Sequence, residues 1–301
     1  TWLLIIIYNF KMIIWLASYP KSGNTFLRSL LSSYLLTQDG NFKINSLKKI
    51  KQFPSIHLFN KFGIDTSNDL VLVENYIKVQ EKLNLLDKQN IRFLKTHSSF
   101  HEINGHRFTD LNNTLGVIYV VRDPRTVVKS YANHHQMSLE SAAEKLLEFT
   151  TLTELTKYSK KTEERQITHV GSWASNYNTW KYFKKLNRYM LVKYEDLVEY
   201  PEETFKKILN FIYELGKSKL KIDKKKLENS IKSTTFNEMQ KLEKKEGFYE
   251  AVKNADGENV TFFKYGPKEN EPNSLPENLR IKIEKNFKNE LEELGYIKFK
   301  E

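Results

Sequence analysis

The sequence predicts an α/β fold with a central, mainly parallel sheet flanked by helices. Three observations predict it. Short apolar runs alternate along the chain with stretches that carry apolar residues at helical spacing. The strongest run, residues 116–121, is β-branched and apolar on both faces, as a strand buried in a parallel sheet must be. The first apolar run leads through a turn containing Pro20 and Gly23 into a helical pattern.

Taken in order, residues 12–18 read as a buried strand from their length and their Ile, Trp and Leu content. Residues 19–24 form the turn. Phe26, Leu27, Leu30, Leu31, Tyr34 and Leu35 then repeat at helical spacing, which predicts a helix over 25–36. Residues 39–70, with Pro54 and several Asn and Ser, read as irregular, and 71–87 as helical. Residues 91–95 form a short strand and 116–121 a longer one. Pro124 opens a helix to about His134, since proline is tolerated in a first turn. Helices are expected over 138–149 and 172–186, with a strand at 189–194. The helix predicted over 201–213 has Glu202 and Glu203 in its first turn, where the helix dipole favours them. Residues 223–245 read as a charged helix, 250–273 as loop with Gly257, Gly266, Pro267 and Pro272, and 275–294 as the last helix. Neither a repeat nor a clear linker is visible, so a single domain over 12–301 is expected.

With 301 residues, 40% of them hydrophobic, the chain can bury a substantial core. It has no cysteine, which excludes disulfides, zinc–thiolate sites and a cysteine nucleophile. That composition suits the cytoplasm, the compartment expected here. The formal net charge of +11 favours polyanionic partners. Part of the excess lies in mixed Lys/Glu stretches at 217–228 and 241–246, which read as solvated helix faces. Residues 1–16 are very apolar but lack a basic leader and a small-residue cleavage site. Asn9 and Lys11 interrupt them, short of the ~20 residues a membrane span needs. No stable membrane anchor is expected. Met12 reads as a natural start, with 1–11 an upstream extension.

Chemistry concentrates at three places. Tyr19-Pro20-Lys21-Ser22-Gly23-Asn24-Thr25 joins strand to helix, where exposed N–H groups and the helix dipole favour an anion. Gly23 lets the backbone curl, Lys21 adds charge and Thr25 a donor. It is not a Walker A loop, whose Lys comes last; an ordinary strand–helix turn is the alternative. Arg122 ends a strand, and Ser130 follows eight positions later on the Pro124 helix. An Arg fork matches phosphate oxygens and Ser adds a donor, although Arg122 could instead pair with a carboxylate such as Asp123. Lys95 and His97 share one face of an extended segment, and a histidine is suited to take a hydroxyl proton near neutral pH. His101, His106, His134 and His135 are weaker candidates, the last two ending the Arg122 helix where they could face an acceptor.

In their order along the chain, these segments resemble the sulfotransferases that use 3′-phosphoadenosine 5′-phosphosulfate (PAPS), the cytosolic enzymes and their bacterial relatives. The resemblance runs from about Met12 to the last helix and implies a P-loop-like, nucleotide-binding fold. It implies that Lys21, Ser22, Gly23, Asn24 and Thr25 hold the 5′-phosphosulfate. Phe26 stands where the family usually has Trp, keeping a face for adenine. Arg122 and Ser130 then hold the 3′-phosphate. His97 is the general base, Lys95 approaches the transferring group and Lys21 the bridging oxygen. Tyr194, of Tyr194-Glu195-Asp196 at a strand end, lies near adenine, and Thr235 and Phe236 complete that site. Lys264 and Gly266, of Phe262-Phe263-Lys264-Tyr265-Gly266, close over the 3′-phosphate. Tyr265 replaces a family Lys, and Glu269-Asn270-Glu271-Pro272 replaces the usual continuation, so the lid has one cation fewer. Gly171-Ser172-Trp173 also resembles a family segment, with Asn176 where a His is common; for Trp173 and Trp180 core packing is the better reading.

The function implied is in-line transfer of a sulfuryl group from PAPS to a hydroxyl of a small molecule or glycan, without a metal. Oligomeric state and acceptor cannot be read, although residues 53–80, 131–150 and 237–255 are the expected pocket walls. Two rivals stand beside it. An ATP-dependent small-molecule kinase would need a Walker-type loop and magnesium carboxylates, and would turn over ATP with magnesium. A basic nucleic-acid-binding module would show salt-dependent binding to DNA or RNA; no nucleic-acid partner is expected, because no such motif is present.

Overall fold

The computed structural model describes residues 12–66, 68–86, 91–155, 165–254, 256–266 and 271–298. The expected extension 1–11 and the altered lid residues Glu269 and Asn270 lie outside the described residues. Five parallel strands form the main sheet: β1 (Met12–Ser18), β2 (Lys51–Gln52), β3 (Ile91–Thr96), β4 (Thr114–Val121) and β5 (Tyr189–Lys193), in the order β2-β3-β1-β4-β5. Trp15 lies opposite Leu94 on one side and Val117 on the other.

The apolar runs are continuous because both sheet faces are covered. In β1, Ile13, Trp15 and Ala17 enter one core, and Ile14 and Leu16 the other. In β4, Val117, Tyr119 and Val121 join the first core, and Ile118 and Val120 the second. This is the two-residue alternation of a strand, buried on both sides. The second core is closed by the helices Asn24–Leu36 and Pro201–Leu215. Serines inside Asn24–Leu36 return their hydroxyls to the preceding turn, Ser29 to the Thr25 carbonyl at 2.9 Å and Ser33 to Leu30 at 2.9 Å. Small and internally satisfied, they let this helix be buried almost all round.

Three expected helices are each divided, and a fourth, 172–186, passes from an α-helix, Trp173–Trp180, into a 3-10 helix, Lys181–Leu186. Residues 71–87 are two helices, Asp69–Glu74 and Tyr76–Leu86, separated at Asn75. Residues 223–245 are Lys224–Ser233 and Phe236–Glu246, because Thr234 bonds back to the Ser230 carbonyl while Thr235 caps the second helix. The last helix breaks at Phe287 into Glu277–Asn286 and Lys288–Glu293. The irregular stretch 39–70 contains the edge strand β2 and two short helices, Ile44–Leu47 and Ile56–Lys61. An antiparallel ribbon, Thr150–Leu155 with Arg165–Gly171, was not legible in the sequence. Among the described residues no helix is long and apolar enough to cross a membrane.

Because β3 and β4 flank β1 and the chain leaves it in both directions, β1 is the switch point of the sheet. The crevice beyond its carboxyl end is where such folds place ligands. Trp15 holds the strand there. Its ring contacts Phe108 at 5.1 Å and Phe53 at 5.6 Å, and its indole N–H donates to Thr114 Oγ1 at 3.0 Å. Trp15→Ala should cost about 3–5 kcal/mol, as large core truncations do. Urea denaturation monitored by circular dichroism checks this; a loss below about 1 kcal/mol would contradict the packing described.

Candidate functional site

The loops that leave the carboxyl ends of β1, β3, β4 and β5 meet around one cavity of about 1100 Å³. The β1 loop takes its shape from two left-handed residues, Lys21 (φ 65°) and Gly23 (φ 100°). A side chain at Gly23 would be strained in that conformation, and its Cβ would also fall 2.4 Å from the Tyr194 ring. Asn24 ties the following helix to β1, donating to the Leu16 carbonyl at 2.8 Å. The Lys21 ammonium lies 3.8 Å from the centre of the Phe262 ring. Burial, with the Lys95 and Arg122 charges and against the pull of Glu250, lowers it to about 7.

β3 delivers Lys95 and His97 to the same cavity. His97 Nδ1 lies 2.9 Å from the Ser18 carbonyl oxygen. A carbonyl can only accept, so Nδ1 carries the proton and Nε2 keeps its lone pair. Burial, then the Lys95 charge, lowers His97 to about 3, so the ring is neutral at physiological pH. Its backbone is held by Asn176, whose amide donates to the carbonyls of His97 (3.0 Å) and Val170 (2.7 Å) and accepts from the Tyr119 hydroxyl (2.8 Å). Trp173 and Trp180 are core residues, and the Trp180 N–H also donates to the Ser98 carbonyl at 3.0 Å.

Arg122 follows β4. Its guanidinium donates to Thr126 Oγ1 (3.0 Å) and the Lys21 carbonyl (3.4 Å) and lies 4.1 Å from the Tyr194 ring centre. The Asp123 carboxylate, the alternative partner for Arg122, is engaged by Arg125 at 2.6 Å and caps the Pro124–His135 helix. Ser130, His134 and His135 on that helix also line the cavity. Burial, then the Lys21 charge, holds His134 and His135 well below the usual histidine range.

Tyr194 opens a helix, Tyr194–Glu199, where the sequence suggested a strand end, because β5 pairs only as far as Lys193. Phe26 meets Tyr194 edge-on at 6.4 Å, while Phe236 contacts Phe263 at 6.3 Å. Phe26, Tyr194, Thr235, Phe236 and Lys264 all line the cavity; Ser22 and Gly266 are not on its wall. The Ser22 hydroxyl is buried without a partner among the described residues. The Lys129 and Lys264 ammonium groups each lie a little over 5 Å from the Tyr265 ring centre.

One residue in the site was not foreseen. Glu250 bonds Arg28 at 2.6 Å, Thr25 Oγ1 at 2.8 Å and Lys95 at 3.4 Å. Burial pushes its carboxyl up, but Lys95 and Arg28 overcome this and hold it well below the usual carboxylate range. The signal available was Arg28, a charge in an otherwise apolar helix that requires a buried counter-ion. Among the described residues no group of three His, Cys, Asp or Glu is spaced to hold a metal.

The fold is similar to that of a mouse sulfotransferase crystallised with PAP, with a TM-score of 0.56 at 16% identity over 95% of this chain and 86% of that one. It is similar also to retinol dehydratase in complex with androsterone and PAP, with a TM-score of 0.55 at 15% identity over 95% and 83%. In sequence the chain is 23% identical to luciferin sulfotransferase of Photinus pyralis over 74% of its length and 24% identical to sulfotransferase 1A1 of Bos taurus over 75%. The matched stretch spans 55% and 65% of those relatives' own lengths. Residues 12–295, which include every loop around the cavity, match the family model for the sulfotransferase domain, and this protein belongs to that family.

Proposed function

We propose that residues 12–301 act as one domain that transfers the sulfuryl group of PAPS to a hydroxyl on a small-molecule or glycan acceptor. One observation supports the reading: the Lys21 loop, Arg122 and Ser130 line one cavity together with His97, whose Nδ1 proton is held by the Ser18 carbonyl. PAPS has two separate phosphate positions and an adenine. The donor set fits it: Lys21, Arg122 and Lys264 for the charges, and the Phe26, Tyr194 and Phe236 rings for the base. The crystallised neighbours' complexes with PAP support the same choice.

In the mechanism, Nε2 of His97 takes the acceptor hydroxyl proton as the acceptor oxygen bonds to sulfur and the bond from sulfur to the bridging phosphate oxygen breaks. Lys21 stabilises charge on that bridging oxygen, and Lys95 the sulfuryl oxygens. The contribution is positioning and preorganised charge. His97 can act because its Nδ1 proton is committed to the Ser18 carbonyl.

The 3′-phosphate assignment is tested by calorimetry with PAP and AMP. PAP should bind about 10–100-fold tighter, the value of one charge-assisted phosphate contact at Arg122. Equal affinities would remove that site.

Lys21 makes PAP binding pH-dependent. Its free-state value of about 7 rises when an anion binds, so binding takes up protons around neutrality. Affinity should therefore be full below about pH 7 and weaken as pH rises above it. Titrations in buffers of different ionisation enthalpy measure the uptake, and Lys21→Met should flatten the profile. A profile that Lys21→Met leaves unchanged would assign the proton elsewhere.

His97→Ala should keep PAP affinity within a few-fold while turnover falls by about 10²–10⁴, the range for a general base. Near wild-type turnover on folded protein would place the base elsewhere, with His134 and His135 next to be examined.

A further inference from the structure

The carboxyl edge of the sheet divides the cavity by strand. Tyr194 follows β5, Arg122 follows β4 and the Lys21 loop follows β1. These three carry most of the donor assignments. His97 follows β3, and β2 lies beyond it. A molecule that presents a hydroxyl to His97 therefore has the β3–β2 end of the cavity as its place.

That end is walled by residues 48–61, and the wall is fixed to the histidine's strand. Lys51 pairs with Leu94 and Gln52 with Lys95, and the Phe53 N–H donates to the Lys95 carbonyl at 2.8 Å. Lys48, Lys51 and Lys61, all exposed, line the cavity from this wall. Among the described residues, the one acidic residue that lines it is Glu250, already engaged by Arg28, Lys95 and Thr25. Among the described residues none of the three lysines is in an ion pair. Many surface lysines elsewhere are: Lys206 with Glu202, Lys207 with Glu203, Lys225 with Glu228 and Lys241 with Glu238. Other exposed lysines share that lack, as a net charge of +11 requires, so what sets these three apart is their place: three exposed lysines without a carboxylate line one cavity next to the strand of the base, Lys48 also lying 5.6 Å from the Tyr249 ring centre, a contact that leaves its charge in place.

Resting on the sulfuryl-transfer reading above, we infer that the acceptor carries, besides its hydroxyl, an anionic group (a carboxylate, phosphate or sulfate) held by Lys48, Lys51 and Lys61. A cluster of like charges at a cavity mouth raises the local concentration of such molecules and adds contact energy once they dock.

The test uses protein saturated with donor or PAP, and matched probes: 4-hydroxyphenylacetate against 4-hydroxyphenylacetamide, and glucose 6-phosphate against glucose. Turnover is read with labelled PAPS and binding by calorimetry. The anionic member of at least one pair should be favoured by about tenfold, the sum of three exposed charge contacts. Which pair responds separates a carboxylate from a phosphate ester. The preference should shrink with salt. It should fall below about threefold in the combined variant Lys48→Ala, Lys51→Ala, Lys61→Ala, with PAP affinity unchanged. PAP binding is measured first on the same sample. A protein that binds no PAP loses the sulfuryl-transfer reading and this inference with it. A protein that binds PAP but treats both members of each pair alike, binds neither anionic probe, or keeps its preference in the combined variant loses this inference alone.

Discussion

Four cations, Lys21, Arg28, Lys95 and Arg122, converge at one edge of an apolar sheet, and the site is arranged around holding like charges together there. They are held in two ways. Arg28 and Lys95 share the Glu250 carboxylate. Lys21 and Arg122 instead lie on aromatic faces, 3.8 Å from Phe262 and 4.1 Å from Tyr194. A ring attracts a cation by about 0.5–2 kcal/mol without neutralising it. The charge on Lys21 and Arg122 thus remains available to an anion, while Arg28 is spent on structure. Burial has already lowered Lys21 to about 7, which is the cost of leaving it without a carboxylate of its own.

The histidine is placed by polar satisfaction, not by charge. Asn176 uses both amide hydrogens and its oxygen within one buried network that runs from Tyr119 to the His97 and Val170 carbonyls. Trp180 holds the next carbonyl, and the Ser99 N–H donates to His169 at 2.9 Å. These contacts fix the backbone at His97 and over the two residues that follow it, while the Ser18 carbonyl fixes the ring itself. A reactive group needs this kind of support to keep its geometry within fractions of an ångström.

The sheet was legible in the sequence because its signal is local. β1 and the run in β4 are apolar on both faces, and the glycine turn after β1 needs no partner to be recognised. The cavity-lining residues at strand ends were legible for the same reason: each sits at or just beyond the end of an apolar run. What was hidden depends on distant residues. The breaks at Asn75 and Thr235 interrupt patterns that look continuous, since short polar side chains turn the backbone only where tertiary packing favours it, and the break at Phe287 falls on a buried aromatic that by itself reads as helix. Glu250 lies more than 150 positions from Lys95 and more than 220 from Arg28, in a stretch with no periodicity, and nothing in its own neighbourhood marks it. The cavity wall over residues 48–61 is similar: Lys51 looks like any surface lysine until β2 is paired with β3.

The segment between the helix Phe236–Glu246 and Gly266 draws these threads together. It supplies Glu250 to Lys95 and Phe262 to Lys21, and is itself anchored by the Phe262 and Phe263 N–H groups on the Glu243 carboxylate at 2.6 and 2.9 Å. Its rings pack mainly on one another, Phe248 with Phe262 and with Phe263. Its described backbone has little regular structure beyond one bridge, Lys253 with Asn259. Such a segment has few ladder bonds of its own, so its docking depends on the charges beneath it. The same cations that are suited to bind an anionic donor therefore also fold this segment against the sheet, one through a carboxylate and one through a ring. A change in charge at Lys21 or Lys95 is then felt in the placement of Glu250 and Phe262, and the segment is part of the cavity wall, not a cover added over it.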